Sequence, residues 1–252
     1  MSRTIAIIPA RYASTRFPGK PLAEIGGEPM VWHVYRQAEK ALGSGNVYVA
    51  TDNNEIYQAV TQRGGQCVIT DAEVNCGTAR CAKALDMIGR DAKMVINVQG
   101  DEPLIDPADI LKVKECFDSP DVRIATLARK FNPADGFEAL FNPSNPKVVM
   151  DCNNNALLFS RSIIPYVRSV PWQQWLDKAT FHIHVGTYGF LSDTLREVAA
   201  LPPSDLEQTE SLEQLRWLQA GYKIKVAITE NKPISVDTPA DLDEARKMFE
   251  NK

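Results

Sequence analysis

A three-layer α/β/α architecture around a mostly parallel, mixed sheet is predicted by three features of the 252-residue sequence. Short apolar and β-branched runs alternate with segments of helical period. The runs read as strands covered on both faces, as a parallel sheet requires. In the middle of the chain several strand-like pieces crowd together, which reads as an antiparallel excursion.

The elements follow in order. "TIAIIPA" (4–10) predicts a buried strand, and "MVWHVYRQAEKAL" (30–42) a helix through Val31, Val34, Tyr35, Ala38 and Leu42. "NVYVAT" (46–51) is a strand, "NEIYQAVTQRG" (54–64) a helix, "CVIT" (67–70) a short strand and "TARCAKALDMIG" (78–89) a helix. "MVINVQGDEP" (94–103) is a strand entering a loop, and "DPADILKVKECF" (106–117) a helix with Asp106 as its N-cap. From about 122 to 190, "VRIATLARK", "KVVMD", "ALLFS" and "HIHVGTYGF" supply the crowded strands, with Trp172 and Trp175 between them. "LEQTESLEQLRWLQAG" (206–221) predicts one helix, "KIKVAIT" (223–229) a strand and "TPADLDEARKMFE" (238–250) a closing helix. Without a repeat, low-complexity tract or long linker, a single domain is expected, with the 122–190 region inserted.

Composition excludes several classes. Lys plus Arg is 28 against 32 Asp plus Glu, so no overall basic footprint for nucleic acid exists. No apolar run approaches the ~20 residues of a membrane span, and no cleavable leader pattern is present. A cytoplasmic protein is expected. Its five cysteines include no C-x-x-C pair, so reduced thiols are expected, and the three histidines do not complete a zinc set.

Chemistry concentrates in three places. "IIPARYASTRFPGKPL" (7–22) sets Arg11, Arg16 and Lys20 beside a buried strand, with Ser14, Thr15 and Gly19 among them. Ligands of parallel α/β sheets bind outside the strands' carboxyl ends, and so dense a cationic set suits a polyphosphate. Neither G-x-x-x-x-G-K-[ST] nor G-x-G-x-x-G occurs there. "VINVQGDEPLI" (95–105) ends a buried strand in Gln99, Gly100 and Asp101, and "ISVDTPADL" (234–242) repeats the pattern with Asp237. Mg²⁺ is held by one or two carboxylates plus substrate phosphates, which suits Asp101 and Asp237. A lone aspartate at a strand end also serves as a turn or cap residue.

Six motifs in order, "IPARYASTRFPGKPL", "NVQGDEPLI", "LLFSRSIIPY", "HIHVGTYGF", "ESLEQLR" and "VDTPADL", make the chain closely similar to the CMP-Kdo synthetase (3-deoxy-manno-octulosonate cytidylyltransferase) family over nearly its full length. The resemblance implies a nucleotide-diphospho-sugar transferase-like fold and transfer of CMP from CTP to a 3-deoxy-2-keto sugar acid, for lipopolysaccharide biosynthesis. It implies catalytic roles for Arg11, Lys20, Asp101 and Asp237, and Mg²⁺ on the two aspartates. It implies CTP contacts from Ala10, Arg11, Ser14, Thr15, Arg16, Lys20, Gly77, Arg80 and Gln99. Gln99, Arg161, His184, Tyr188, Glu213 and Gln214 are implied around the sugar acid. A homodimer through the middle region is also implied, with Trp172 and Trp175 as interface or core residues.

Members usually carry His-x-Ser-Gly-Thr-Asp/Glu-Arg after the third strand. Here Val74, Cys76 and Ala79 replace the His, Ser and acid, while Gly77, Thr78 and Arg80 remain. An acid absent at 79 leaves Arg80 differently engaged. The loop 229–239 is also shorter than the Gly-rich form of many relatives. Activity on Kdo, activity on its 8-amino analogue or another sugar acid, and a non-catalytic nucleotide-binding role all stand at this point.

Overall fold

The computed structural model describes residues 3–13, 17–74, 76–89 and 92–250. The chain divides into two compact units. The first comprises Met1–Glu115, Thr187–Ala200 and Pro233–Lys252; the second comprises Cys116–Gly186 and Leu201–Lys232.

The first unit begins with β1 (Arg3–Ala10), a small hairpin of β2 (Glu24–Ile25) and β3 (Glu28–Pro29), and α1 (Met30–Leu42). It continues through β4 (Val47–Thr51), α2 (Asn54–Thr61), β5 (Gln66–Ile69), α3 (Gly77–Ile88), β6 (Ala92–Asn97) and α4 (Pro107–Glu115). Its strands lie in the order β5-β4-β1-β6, all parallel. Such a sheet buries both faces, and β4 is buried at every residue. Ala6, Ile8 and Ala10 of β1 pack with Val31, Val34, Tyr35 and Ala38 of α1. The period-2 alternation turns Ile5 and Ile7 to the opposite face. There α3 places Cys81 Sγ 3.9 Å from the Ile7 carbonyl. The three isoleucines of β1 are wholly buried, worth about 1.5–3 kcal/mol each. Asp106 caps α4 as expected, its Oδ1 accepting from the Ala108 N–H at 2.8 Å.

The second unit holds β7 (Ile124–Lys130), the short α5 (Phe137–Phe141), β8 (Lys147–Met150), β9 (Ala156–Ser160) and the single-turn α6 (Trp175–Lys178). β10 (His182–Leu191) begins in this unit, and its second half belongs to the first, where it pairs antiparallel with β6. α7 (Ser192–Ala199) follows in the first unit. The second unit resumes with α8 (Asp205–Glu210), α9 (Gln214–Gln219) and β11 (Ile224–Thr229), and α10 (Pro239–Glu250) closes the first. β11 runs parallel to β7, whereas β8 is antiparallel to β9 and to the start of β10. The expected excursion is therefore a hairpin beside a parallel pair.

One expectation is corrected. The helix expected over 206–221 is broken: Ser211 takes a left-handed φ of 51° and separates α8 from α9. Buried Leu212 folds back there, its N–H reaching the Glu207 carbonyl at 3.3 Å. Helical periodicity continues across the break, so the pattern conceals it. The two tryptophans also part company. Trp175 is a core residue packed with Phe131, Leu140 and Phe181, its Nε1 donating to the Val170 carbonyl, whereas Trp172 is 50% exposed. No helix among the described residues is long and apolar enough to cross a membrane.

Candidate active site

The carboxyl ends of β1, β4, β5 and β6 form the rim on which the first unit's charged groups gather. The turn after β1 is set by Gly19, whose φ of 70° suits a residue without Cβ. Its N–H donates to the Tyr12 carbonyl at 3.0 Å, and Lys20 opens a single 3₁₀ turn directly after it. The loop after β6 comes very close to this segment. A Cβ on Gly100 would lie 2.8 Å from the Pro9 carbonyl oxygen, so only glycine lets the two main chains approach in this way.

Lys20 Nζ donates to Asp101 Oδ2 at 2.8 Å and to Asp237 Oδ1 at 3.2 Å. Residues 81 and 217 positions away in sequence thus converge on one ammonium. Two supports fix the acids. The Val236 N–H donates to the Asp101 carbonyl at 2.8 Å, tying one aspartate's loop to the other's. Asp241 Oδ2 accepts from the N–H groups of Asp237 and Thr238 and from the Thr238 hydroxyl, which starts α10. Burial pushes the Asp241 carboxyl up, but these hydrogen bonds outweigh it and hold the group below the usual range.

Glu102, directly after Asp101, is a buried acid that sequence reasoning passed over. Burial, with the charges of Asp101 and Asp109 added, pushes its carboxyl up to about 8, so it is neutral at pH 7. Its Oε2 has no partner among the described residues. Only an acid of the "GDEP" turn followed by buried apolar positions hinted at this.

Arg80 leaves the first turn of α3 and is wholly shielded from solvent. It is engaged from three sides: Nη1 donates to Thr70 Oγ1, and Nη2 donates to Asp52 Oδ2 at 2.9 Å and to the Val74 carbonyl at 3.2 Å. The different engagement expected for this cation is therefore a salt bridge to Asp52, invisible in local spacing. Cys76 keeps the capping role of a hydroxyl: its Sγ accepts from the Ala79 N–H at 3.4 Å.

Ala10, Arg11, Lys20, Gly77, Arg80, Gln99, Asp101 and Asp237 line one cavity of about 460 Å³. Ser14, Thr15 and Arg16 fall outside the described residues. Tyr188 of β10 is buried in the first unit, stacked on Phe190 at 5.9 Å.

The other expected sugar-site residues lie in the second unit. His184 Nε2 and Thr126 Oγ1 are 3.0 Å apart, and Phe159 meets the ring edge-on. Desolvation lowers this imidazole to about 3. Arg161 donates from Nε to the Glu210 carbonyl, from Nη1 to the Pro143 carbonyl and from Nη2 to the Ser211 carbonyl, at 2.6, 2.7 and 3.1 Å. The Glu210 carboxylate accepts in return from the Ser160 hydroxyl and the Arg161 N–H. Beneath them Lys147, wholly buried, gives its ammonium to the carbonyls of Asn142, Asn145 and Arg161. This network pins the turn at Ser211 that breaks the helix, and directly after it come Glu213 and Gln214. Arg216 Nη2 holds Glu213 at 2.6 Å, while the buried Gln214 Nε2 has no acceptor among the described residues.

Residues 5–224 match the family model described as cytidylyltransferase. A protein of Parabacteroides distasonis named 3-deoxy-manno-octulosonate cytidylyltransferase is 50% identical, with the whole of both chains covered. One of the same name from Phocaeicola vulgatus is 49% identical over 98% of each chain. Among solved structures, CMP:2-keto-3-deoxy-manno-octonic acid synthetase complexed with CTP superposes with a TM-score of 0.89 at 39% identity, covering 99% of each chain.

Proposed function

The chain belongs to the cytidylyltransferase family, and we infer that it transfers CMP from CTP to the anomeric hydroxyl of 3-deoxy-D-manno-octulosonate (Kdo), releasing pyrophosphate. The hydroxyl oxygen bonds to the α-phosphorus, the bond to the β-phosphate oxygen breaks, and the hydroxyl proton is lost. The observation that carries this reading is half-identity over the full length to a protein named for the reaction.

The residue roles are our own assignment. Arg11 and Lys20 face the triphosphate, with Ala10, Gly77, Arg80 and Gln99 lining the same cavity. Lys20 neutralises charge that develops on the α-phosphoryl oxygens, in place before the reaction begins. Asp101 and Asp237 would hold Mg²⁺. Two carboxylates already directed at one cationic point are a hard-oxygen donor set that fits this ion. When bound, the ion supplies positive charge to phosphate oxygens. Neutral Glu102 adds no further negative charge to the turn.

Gln99, Arg161, His184, Tyr188, Glu213 and Gln214 are assigned to the sugar acid. The unsatisfied Gln214 amide supports the assignment, because a sugar hydroxyl would supply its missing acceptor. Arg161 keeps N–H groups beyond the three given to carbonyls, which suit a carboxylate. We also assign the protein to the cytoplasm and to a homodimer, with exposed Trp172, rather than Trp175, as the candidate interface residue.

The test is pyrophosphate release by the purified protein with CTP and Mg²⁺. Release with Kdo, and not with 8-amino-Kdo or sialic acid, is expected. Preference for 8-amino-Kdo would move the substrate to that analogue, and no release with any sugar acid despite CTP binding would leave a non-catalytic nucleotide binder. Light scattering on the same sample reads the dimer.

A further inference from the structure

Arg80 presents a physical puzzle that its place in the cavity does not answer. A guanidinium with no exposure to water carries a desolvation cost of several kcal/mol unless an opposite charge and good hydrogen bonds offset it. The charge comes from Asp52, whose Oδ2 lies 2.9 Å from Nη2. Asp52 is the residue directly after β4, and Thr70, which accepts from Nη1, is the residue directly after β5. These strands are hydrogen-bonded neighbours in register, Thr51 opposite Ile69. Thr70 is itself locked to the sheet: its N–H and hydroxyl both donate to the Thr51 carbonyl, at 2.8 and 3.3 Å. The sheet's own edge therefore holds the guanidinium plane. Arg80 lines the cavity with Lys20 and Gln99, whereas Asp52 and Thr70 do not. Its Nε is buried without an acceptor among the described residues.

We propose that Asp52, assisted by Thr70, is a positioning residue that fixes the Arg80 guanidinium for the nucleoside triphosphate. The proposal rests on the assignment of this cavity to CTP. Asp52 touches no substrate and acts only through Arg80. Losing its charge frees the guanidinium to turn, weakening nucleotide binding while the acceptor sugar is bound as before.

Steady-state kinetics with CTP and Kdo, on Asp52→Asn, Arg80→Met and the double variant, test this. Asp52→Asn should raise KM for CTP about 10-fold with KM for Kdo nearly unchanged, and should also lower the melting temperature, because the buried guanidinium loses its opposite charge. Arg80→Met should raise KM for CTP at least as much, and adding Asp52→Asn to it should change nothing further. Thr70→Val, which keeps shape and loses the hydroxyl, should raise KM for CTP about threefold and serves if Asp52→Asn does not fold. An Asp52→Asn enzyme with normal KM for CTP, or one that only melts earlier, overturns the proposal. So do effects of Asp52→Asn and Arg80→Met that multiply. If Arg80→Met itself leaves KM for CTP unchanged, the placement of Arg80 in the nucleotide site falls, and the role of Asp52 falls with it.

Discussion

In the first unit, cations meet carboxylates: Lys20 bridges Asp101 and Asp237, and Arg80 pairs with Asp52. In the second, the best-held cations meet the main chain: Lys147 and Arg161 each grip three carbonyl oxygens. The difference separates two uses of positive charge. An ion pair at a cavity wall can exchange one partner for a phosphate or a metal ion, because each member keeps its charge. An ammonium saturated by carbonyls in a dry site has nothing to exchange, and its role is to fix backbone.

Four experiments break or sharpen this contrast. The largest effect is expected from Asp101→Ala or Asp237→Ala. Each should lower turnover ~10³-fold or more while the circular dichroism spectrum stays native, since both acids are partly exposed and pack little. Near-normal rates in both would remove the metal assignment. Lys20→Ala comes next, with a fall in kcat of ~10²–10³ typical of losing one charge-stabilising donor. Urea titration should find its stability close to the parent's.

Lys147→Met should reverse the pattern. Three carbonyls lose their donor, so stability should fall by about 3 kcal/mol in urea. The KM for CTP of the folded fraction should stay unchanged, and a stable Lys147→Met protein would contradict the anchoring role. The smallest effect concerns His184. Its folded value of about 3 lies below the ordinary 6.5, so the stability it contributes is present above pH 6.5 and is lost as pH falls toward 3. Because part of the residue faces solvent, the loss at pH 5 should be only about 1 kcal/mol. His184→Gln should flatten that part of the melting-temperature profile, and an unchanged slope would discount the shift.

How much of this was legible in the sequence follows from the same contrast. β1, β4 and β6 and their loops were readable because burial on both faces leaves continuous apolar runs that stop where the rim begins. Lys20 and Asp101 were readable because each lies past such a run or its turn, whereas the apolar residues before Asp237 form no strand, and that aspartate stands in an irregular segment ahead of α10. Partner choice was not. Asp52 and Thr70 are brought to Arg80 of α3 by the register of adjacent strands, and Gly100 matters only because Pro9 lies 2.8 Å from its missing Cβ. In the second unit, periodicity ran unbroken through 206–221, while the break at Ser211 is held by Arg161, some fifty residues earlier. Side-chain grips on carbonyl oxygens leave no trace in composition, because any residue offers the same acceptor.

That indifference has a consequence for how the chain tolerates change. Lys147 and Arg161 recognise the backbone of Asn142, Pro143, Asn145, Glu210 and Ser211, not their identities. A saturation library should therefore accept varied residues at 143, provided the loop keeps its path, and fewer at 142 and 145, whose side chains hydrogen-bond to Ser144 and Ala139, while rejecting nearly everything at 147. The strictest requirement in this part of the molecule would fall on the residue doing the holding.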